Sequence, residues 1–338
     1  MEYNSSYSRL AIHMLRQRWA STDADLAEIG VDVDQIFTSA VCPLESHVAV
    51  FALLCSESRL GNSASYLFAR RLRLSYMGPS AAMMLSAPTI KEALTRGVQI
   101  TNATVPHLNN ALYDLGGNTI EVVWRAMPDN VFYEDGYMKE LQMLSTAKIT
   151  AEILAVAAGG ISTHTCTFYF PVKRPPASDL VASILNGINV VWDDTEPTMR
   201  LCVTRDFAEQ PLMNSSPDVY AQSMIYAETY FASLQKKDIN TRLALDAIRS
   251  MPPSQVSLRS VARSLNVSES VLKDRLRTEG TTFTSLRNEA HIEVAIRLAR
   301  QGASRAKAAD HFNKSSANFG EWFKSHHPEG KTYTEVKV

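Results

Sequence analysis

Cysteine is scarce. The four thiols of the 338-residue chain, Cys42, Cys55, Cys166 and Cys202, are widely scattered, with no pair at metal-ligand spacing and no short disulfide framework. Buried thiols in a reducing compartment are the expectation. Long apolar runs are missing as well. No stretch of about 18 apolar residues occurs, so no segment is expected to span a membrane. The opening MEYNSSYSRL lacks the basic-then-apolar layout of a secretory signal, and a cytoplasmic protein is expected. Nor is there a G-x-S-x-G elbow, a P-loop or a G-x-G-x-x-G turn. His13, His47, His107 and His164 stand far apart with no Cys, Asp or Glu at metal spacing, so each reads as a core or surface histidine rather than a ligand or base. No catalytic residue, metal or cofactor is expected.

An excess of one charge is missing from the chain as a whole, which carries 34 Lys+Arg against 35 Asp+Glu, but not from its parts. From Leu258 onward 14 basic residues face 9 acidic ones, while the 257 residues before it hold 20 against 26. A mildly basic segment on an acidic body suits a polyanion-binding module joined to something else. With 45% apolar and 20% charged residues, the composition is that of a globular protein, and its length calls for two or three folding units.

The first hundred residues read mostly as short helices, over roughly 7–20, 24–29, 46–57, 63–73, 80–85 and 90–100. Strands follow. Ile120, Val122 and Trp124 alternate with polar neighbours after the turn signal Gly116-Gly117-Asn118, making a hairpin with roughly 107–114. Further strands are expected over 165–170 and 199–204, with helices over 133–157, 177–185 and 219–234. This order is too irregular for a doubly wound parallel sheet. It predicts an α+β N-terminal domain, residues 1–234, with helices around a small, mainly antiparallel sheet. The short charged stretch 235–238 is the expected boundary to an all-α C-terminal domain, 235–338, which begins with a helix over 239–251.

In that domain Leu258, Val261, Ala262 and Leu265 form the stripe of a short helix, and Ser268 is placed to cap a second helix bearing Val271, Leu272 and Leu276 on one side. Two short helices across a tight turn describe a helix-turn-helix over about 258–279. A long helix over 283–300 leads to a second pair over about 305–326, with Phe319, Trp322 and Phe323 on the buried face of its last helix.

These residues carry a resemblance. The run from Val256 to Ala299, with its apolar-x-x-Val-Ala first helix, Leu-x-Val-Ser turn, Leu272, Arg275, Leu276, Glu279-Gly280, Thr282-Phe283 and Arg297-Leu298, resembles the DNA-binding domain of the AraC/XylS transcriptional regulators. The segment LSAPTIKEALTRGVQITN is similar, more weakly, to the effector-binding domain of the subfamily with a long N-terminal half. The second motif departs from the family: Phe312-Asn313 stands where a Gly-Phe/Tyr pair is usual, and a Pro-x-x-Tyr ending is altered to Pro328 through Tyr333.

By position in the motif, Ser270, Lys273 and Asp274 would face bases behind the capping Ser268, with Arg277 nearer the backbone. Lys273 could donate to guanine. Asp274 could accept from cytosine N4 or merely pair with Ser270 or Arg277. In the second pair Ser316, Ala317, Gly320 and Glu321 hold the corresponding places, a set weak for base reading, so phosphate contacts through Lys314 and Lys324 are expected there. Met83, Met84, Phe168 and Phe170 could line an apolar effector pocket, and core packing accounts for them equally well.

The resemblance implies a sequence-specific DNA-binding transcriptional regulator controlled by a small-molecule effector. Its implied partners are double-stranded DNA, that effector, RNA polymerase and a second copy of the chain, with no membrane. Three other readings stay open: a regulator whose N-terminal half only dimerises or meets a protein, a metabolic enzyme fused to a helix-turn-helix, and a helical pair used for protein contact.

Overall fold

The computed structural model describes residues 2–56, 58–77, 79–104, 108–126, 136–159, 165–175, 178–185, 187–196, 198–233 and 239–336. It is a mixed α/β structure that divides into two compact units. One comprises residues 1–110, 124–202 and 209–227, and the other residues 111–123, 203–208 and 228–338. The boundary expected at 235–238 lies outside the described residues.

The chain opens with β1 (Glu2–Asn4), whose Asn4 caps α1 (Ser5–Arg16) by accepting from the Ser6 amide. Two short helices, α2 (Thr22–Glu28) and α3 (Val33–Thr38), lead to β2 (Val41–Pro43), which pairs antiparallel with β1. Helices α4 (Leu44–Cys55), α5 (Ala64–Arg71), α6 (Pro79–Ser86) and α7 (Ile90–Thr104) follow. Next come β3 (Leu108–Asp114), β4 (Thr119–Ala126), α8 (Gly136–Ala158), β5 (Cys166–Phe170), α9 (Ser178–Ile184), β6 (Asn189–Trp192), β7 (Met199–Thr204), α10 (Arg205–Ala208) and α11 (Pro217–Ser233). The larger sheet has the order β3-β4-β7-β5-β6. The short strands β1, β2 and β6 and the helices α3 and α10 are elements that the sequence pattern did not single out. The expectation of a mainly antiparallel sheet also meets an exception. β5 and β6 run parallel, with Phe168 opposite Val190, because α9 lies between them in sequence and gives the chain the length to cross back.

Alternation is obeyed where one face meets solvent and fails where both are covered. In β5, Cys166, Phe168 and Phe170 are buried and their neighbours only partly so. In β4, Glu121 is as closed off as Ile120 and Val122. Its carboxylate lies 3.1 Å from Arg297 Nε as an ion pair and accepts a 2.9 Å hydrogen bond from Gln301.

From Ile239 onward every described element is a helix: α12 (Ile239–Arg249), α13 (Leu258–Ser264), α14 (Glu269–Thr278), α15 (Phe283–Arg300), α16 (Arg305–His311), α17 (Ser316–His326) and α18 (Tyr333–Val336). They build two cores. The first joins Ala244, Ala247 and Ile248 of α12 to Val261, Ala262, Leu272, Leu276, Leu286 and Ala290. The second joins Ile292, Ala295 and Leu298 of α15 to Phe312, Phe319, Phe323 and Tyr333. Each fully buried aromatic in it contributes about 1.5–3 kcal/mol of transfer free energy. Thus α15 serves both cores, its first half in one and its second half in the other. The second core also takes Ala111, Tyr113, Leu115 and Val123 from the hairpin. Among the described residues no helix is long and apolar enough to cross a membrane.

Candidate nucleic-acid interface

The pairs α13–α14 and α16–α17 repeat one local design at a constant step of 47 residues. Ser257 and Ser304 cap their first helices, and Ser268 and Ser315 cap their second ones, each side chain accepting from a backbone amide. Between them Asn266 and Asn313 take φ of 54° and 50°, the left-handed region that asparagine tolerates better than other residues with a Cβ. Each turn closes by the same two bonds. Val267 N donates to Ala262 O at 3.0 Å and Asn266 N to Arg263 O at 3.1 Å; Lys314 N donates to Ala309 O and Asn313 N to Asp310 O, both at 3.1 Å. These satisfy the carbonyls that the first helix of each pair leaves open. The departure at Phe312-Asn313 therefore leaves the turn intact.

On α14 the buried side is Leu272 and Leu276, while Ser268, Ser270, Lys273, Asp274 and Arg277 are all exposed. Val271, placed by its sequence on the inner side, is 40% exposed, because only the Leu272–Leu276 line faces the core. Asp274 stands 3.1 Å from Arg277 in an ion pair. The acids at the two ends of this helix, Glu269 and the capping Glu279, are engaged as well. Glu269 pairs with Arg259 at 3.1 Å, and Glu279 accepts from the amides of Asn240 and Thr241 at 3.0 and 2.7 Å, closing the start of α12. Lys273 is left as the cation of this face without an ion pair among the described residues.

The matching face of α17 is sparser. The 47-residue step sets Ala317 opposite Ser270, Gly320 opposite Lys273, Glu321 opposite Asp274 and Lys324 opposite Arg277. Ala317, Glu321 and Lys324 are exposed, and Ser316 and Gly320 are half-buried. Lys314 holds its Nζ 5.7 Å from the centre of the Trp322 ring. Over Gly320 lies Arg305, the first residue of α16. A Cβ at position 320 would stand 3.5 Å from an Arg305 Nη and 3.6 Å from its Cδ, and Arg305 Nε donates to Ser316 Oγ at 3.0 Å. Arg305 has no part in the sequence-based expectations, and Val271 enters them only as an inward residue. Aligning the two pairs at their capping serines is the signal that brings Arg305 forward.

What orients α15, and through it both pairs, is a buried polar network. Arg249 donates to both oxygens of Glu293 at 2.9 and 2.6 Å and lies 3.6 Å from Asp246. Burial opposes the charge on Arg249, but Glu293, Tyr113 and Asp246 outweigh it and raise its pKa. The Tyr113 hydroxyl donates to Glu293 at 2.7 Å, and the Arg297 guanidinium stacks 4.4 Å from the Tyr113 ring centre. The hairpin turn is held by Arg205, which pairs with the fully buried Asp114 and donates to Gly117 O at 2.6 Å. Beside the second pair, His291 packs edge-on against Phe312, 5.3 Å between centroids, and its buried Nε2 has no hydrogen-bond partner among the described residues. Burial first, then the charges of Arg287 and Lys314, pull its pKa down to about 4.

The effector candidates sit in packed interior. Met83, Met84, Phe168 and Phe170 are each 2% exposed or less. Met84 abuts Gly97, and Phe170 stacks on Trp192 at 4.8 Å. Of the histidines, His47 is buried with its Nδ1 2.8 Å from Ser8 Oγ, and His13 contacts Gln17 at 3.0 Å; His107 and His164 lie outside the described residues.

No family model matches the chain, and no curated protein matches it. Among solved structures it is similar to the crystal structure of transcriptional regulator CdpR from Pseudomonas aeruginosa, at 16% identity and a TM-score of 0.46, over 100% of this chain and 99% of that one.

Proposed function

We propose that this protein is a sequence-specific, double-stranded-DNA-binding transcriptional regulator of the AraC/XylS type, with residues 258–279 and 305–326 as two helix-turn-helix readers. The observation that carries this reading is the 47-residue repeat of capped helix, left-handed asparagine and capped helix, borne on one shared helix. The 18 residues of α15 span about 27 Å, the same order as the roughly 34 Å between successive major-groove faces of B-DNA. α14 would enter the groove with Lys273 toward guanine O6 and N7, Ser270 toward a neighbouring base, and Val271 against a thymine methyl. The Asp274–Arg277 pair, 3.1 Å apart, favours the ion-pair role for Asp274 over cytosine reading. Lys314 and Lys324 would meet phosphates.

Control by a small molecule bound to the N-terminal half belongs to the same proposal and rests on the resemblance alone. The four apolar candidates have a full account as core. Selection from a random-sequence duplex library with the full chain tests the DNA reading. Enrichment of a motif with two blocks about 10 base pairs apart is expected, and enrichment of nothing overturns it. Thermal shift against a metabolite library tests the sensor, since a ligand that binds only the folded state raises the melting temperature.

A further inference from the structure

The two readers differ most where Lys273 of α14 is matched by Gly320 of α17. A glycine in the middle of an exposed helix weakens it, and here it leaves clear the space through which a neighbouring side chain runs. Arg305 passes over Gly320, its Cδ 3.6 Å and an Nη 3.5 Å from where a Cβ would stand, so a methyl would just fit and anything longer would contest the space. The same step matches Arg305 to Leu258, an apolar residue packed on the first core. The second pair thus exchanges an inward leucine for an outward arginine, and an outward lysine for the gap that arginine fills.

The arginines at the two turns are held differently. In the first pair Arg259, near the start of α13, reaches across the turn to Glu269, the first residue of α14, and is neutralised there at 3.1 Å. In the second pair Arg305 makes the same crossing to the first residue of α17, but that residue is Ser316. A hydroxyl fixes the guanidinium through Nε without cancelling its charge. Among the described residues Arg305 makes no ion pair, and it is exposed. Both Nη groups remain for a partner, in the planar fork that matches two acceptors side by side.

We infer that Arg305 is the principal base-reading residue of the second reader, delivered from α16 across Gly320 and held by Ser316 to donate two hydrogen bonds to a guanine edge in the major groove. This rests on the DNA-binding reading above and assigns base recognition to a unit whose own helix carries almost none. A fork lying on the helix surface, already fixed at Nε, loses less rotamer freedom on binding than a free arginine.

The test is parallel selection from a random duplex library with the wild-type full chain, Arg305→Ala, Arg305→Lys and Lys273→Ala, followed by affinity measurement on the wild-type consensus. Arg305→Ala is expected to erase a guanine preference in one block of the motif and to lower discrimination there by about 5- to 150-fold. The other block should stay intact. Lys273→Ala should do the reverse, and Arg305→Lys should keep most of the affinity while relaxing the guanine preference. Ser316→Ala should weaken the same block less than Arg305→Ala does. An unchanged motif with Arg305→Ala overturns the inference, as does a uniform loss of affinity with base preferences retained, which would make Arg305 a phosphate contact. If Lys273→Ala alters the motif and Arg305→Ala does not, this inference fails while the DNA reading stands. If the wild type enriches nothing, both fail. Matching thermal melts of the variants exclude misfolding as the cause.

Discussion

Stability between pH 8 and pH 5 should be governed in part by one ring, that of His291. It lies on α15, edge-on to Phe312, with a buried Nε2 that finds no hydrogen-bond partner among the described residues. Protonation would place a charge in that interior beside Arg287 and Lys314, both positive, and this combination depresses its pKa from the ordinary 6.5 to about 4. The unfolded chain therefore binds the proton more tightly than the folded one. The contribution is fully present above pH 6.5 and is lost progressively as pH falls toward 4. Integrated from pH 8 to pH 5, the loss is about 2 kcal/mol, and it approaches about 3 kcal/mol below pH 4. Urea unfolding of the wild type and of His291→Leu at pH 8 and at pH 5 isolates the effect, because other titrating groups act on both proteins alike. The variant should show about 2 kcal/mol less acid sensitivity. Parallel losses in the two proteins, or an NMR titration of His291 near 6.5, would refute the account. On the proposed DNA-binding reading, a weakened second core should also make the affinity of the wild type for its selected duplex fall below pH 6 more steeply than that of the variant.

Three further perturbations bear on the same unit. Arg249→Met strands the carboxylates of Glu293 and Asp246 in a buried site, and denaturant unfolding should report a loss of about 3–5 kcal/mol; a loss under about 1 kcal/mol would mean that water reaches the pair. Gly116→Ala forces a side chain to adopt a φ of 75° and brings its Cβ within 2.7 Å of His311 Nδ1. The left-handed conformation alone should remove about 1–2 kcal/mol, a drop in melting temperature that His311→Ala should only partly restore. Asp274→Ala frees Arg277 from its ion pair and removes a negative charge from the proposed groove-facing side. Affinity for the selected duplex should rise with base preferences unchanged, whereas a relaxed preference at a cytosine would show that the carboxylate reads that base.

The helices α13 to α17 were legible because each is bounded by local chemistry. Ser257, Ser268, Thr282, Ser304 and Ser315 all cap, and Gly280 and Gly302 end α14 and α15 with φ near 80°. The long alternating strands were legible for the same reason. What escaped was set by distant partners. Glu121 reads as a solvent-facing strand residue until Arg297 and Gln301, far along the chain, close over it. His291 reads as one more polar position on a long helix, and only Phe312 after α16 and Trp322 of α17 make it interior. β1 and β2, three residues each, are too short for a period to show. The parallel pairing of β5 with β6 depends on where α9 returns the chain. The repeat itself hides in the sequence because the two pairs share cap and turn residue types rather than surface residues.

The C-terminal helices also do not close their core unaided. Tyr113, which has no exposed surface, enters the second core from the hairpin with Ala111, Leu115 and Val123, and its hydroxyl satisfies Glu293, which in turn holds Arg249. A chain beginning at Ile239 would keep both helix pairs and lose these four side chains, leaving a void in that core and the Arg297 face uncovered. Relaxation absorbs such a void only in part, since interiors pack near crystal density. Because α15 backs both cores, a displacement of Tyr113 is felt by Glu293 in the middle of that helix and so by the seat of either pair. The hairpin, whose Gly116 meets His311 across 195 residues of sequence, is structurally one of the supports of the helix pairs.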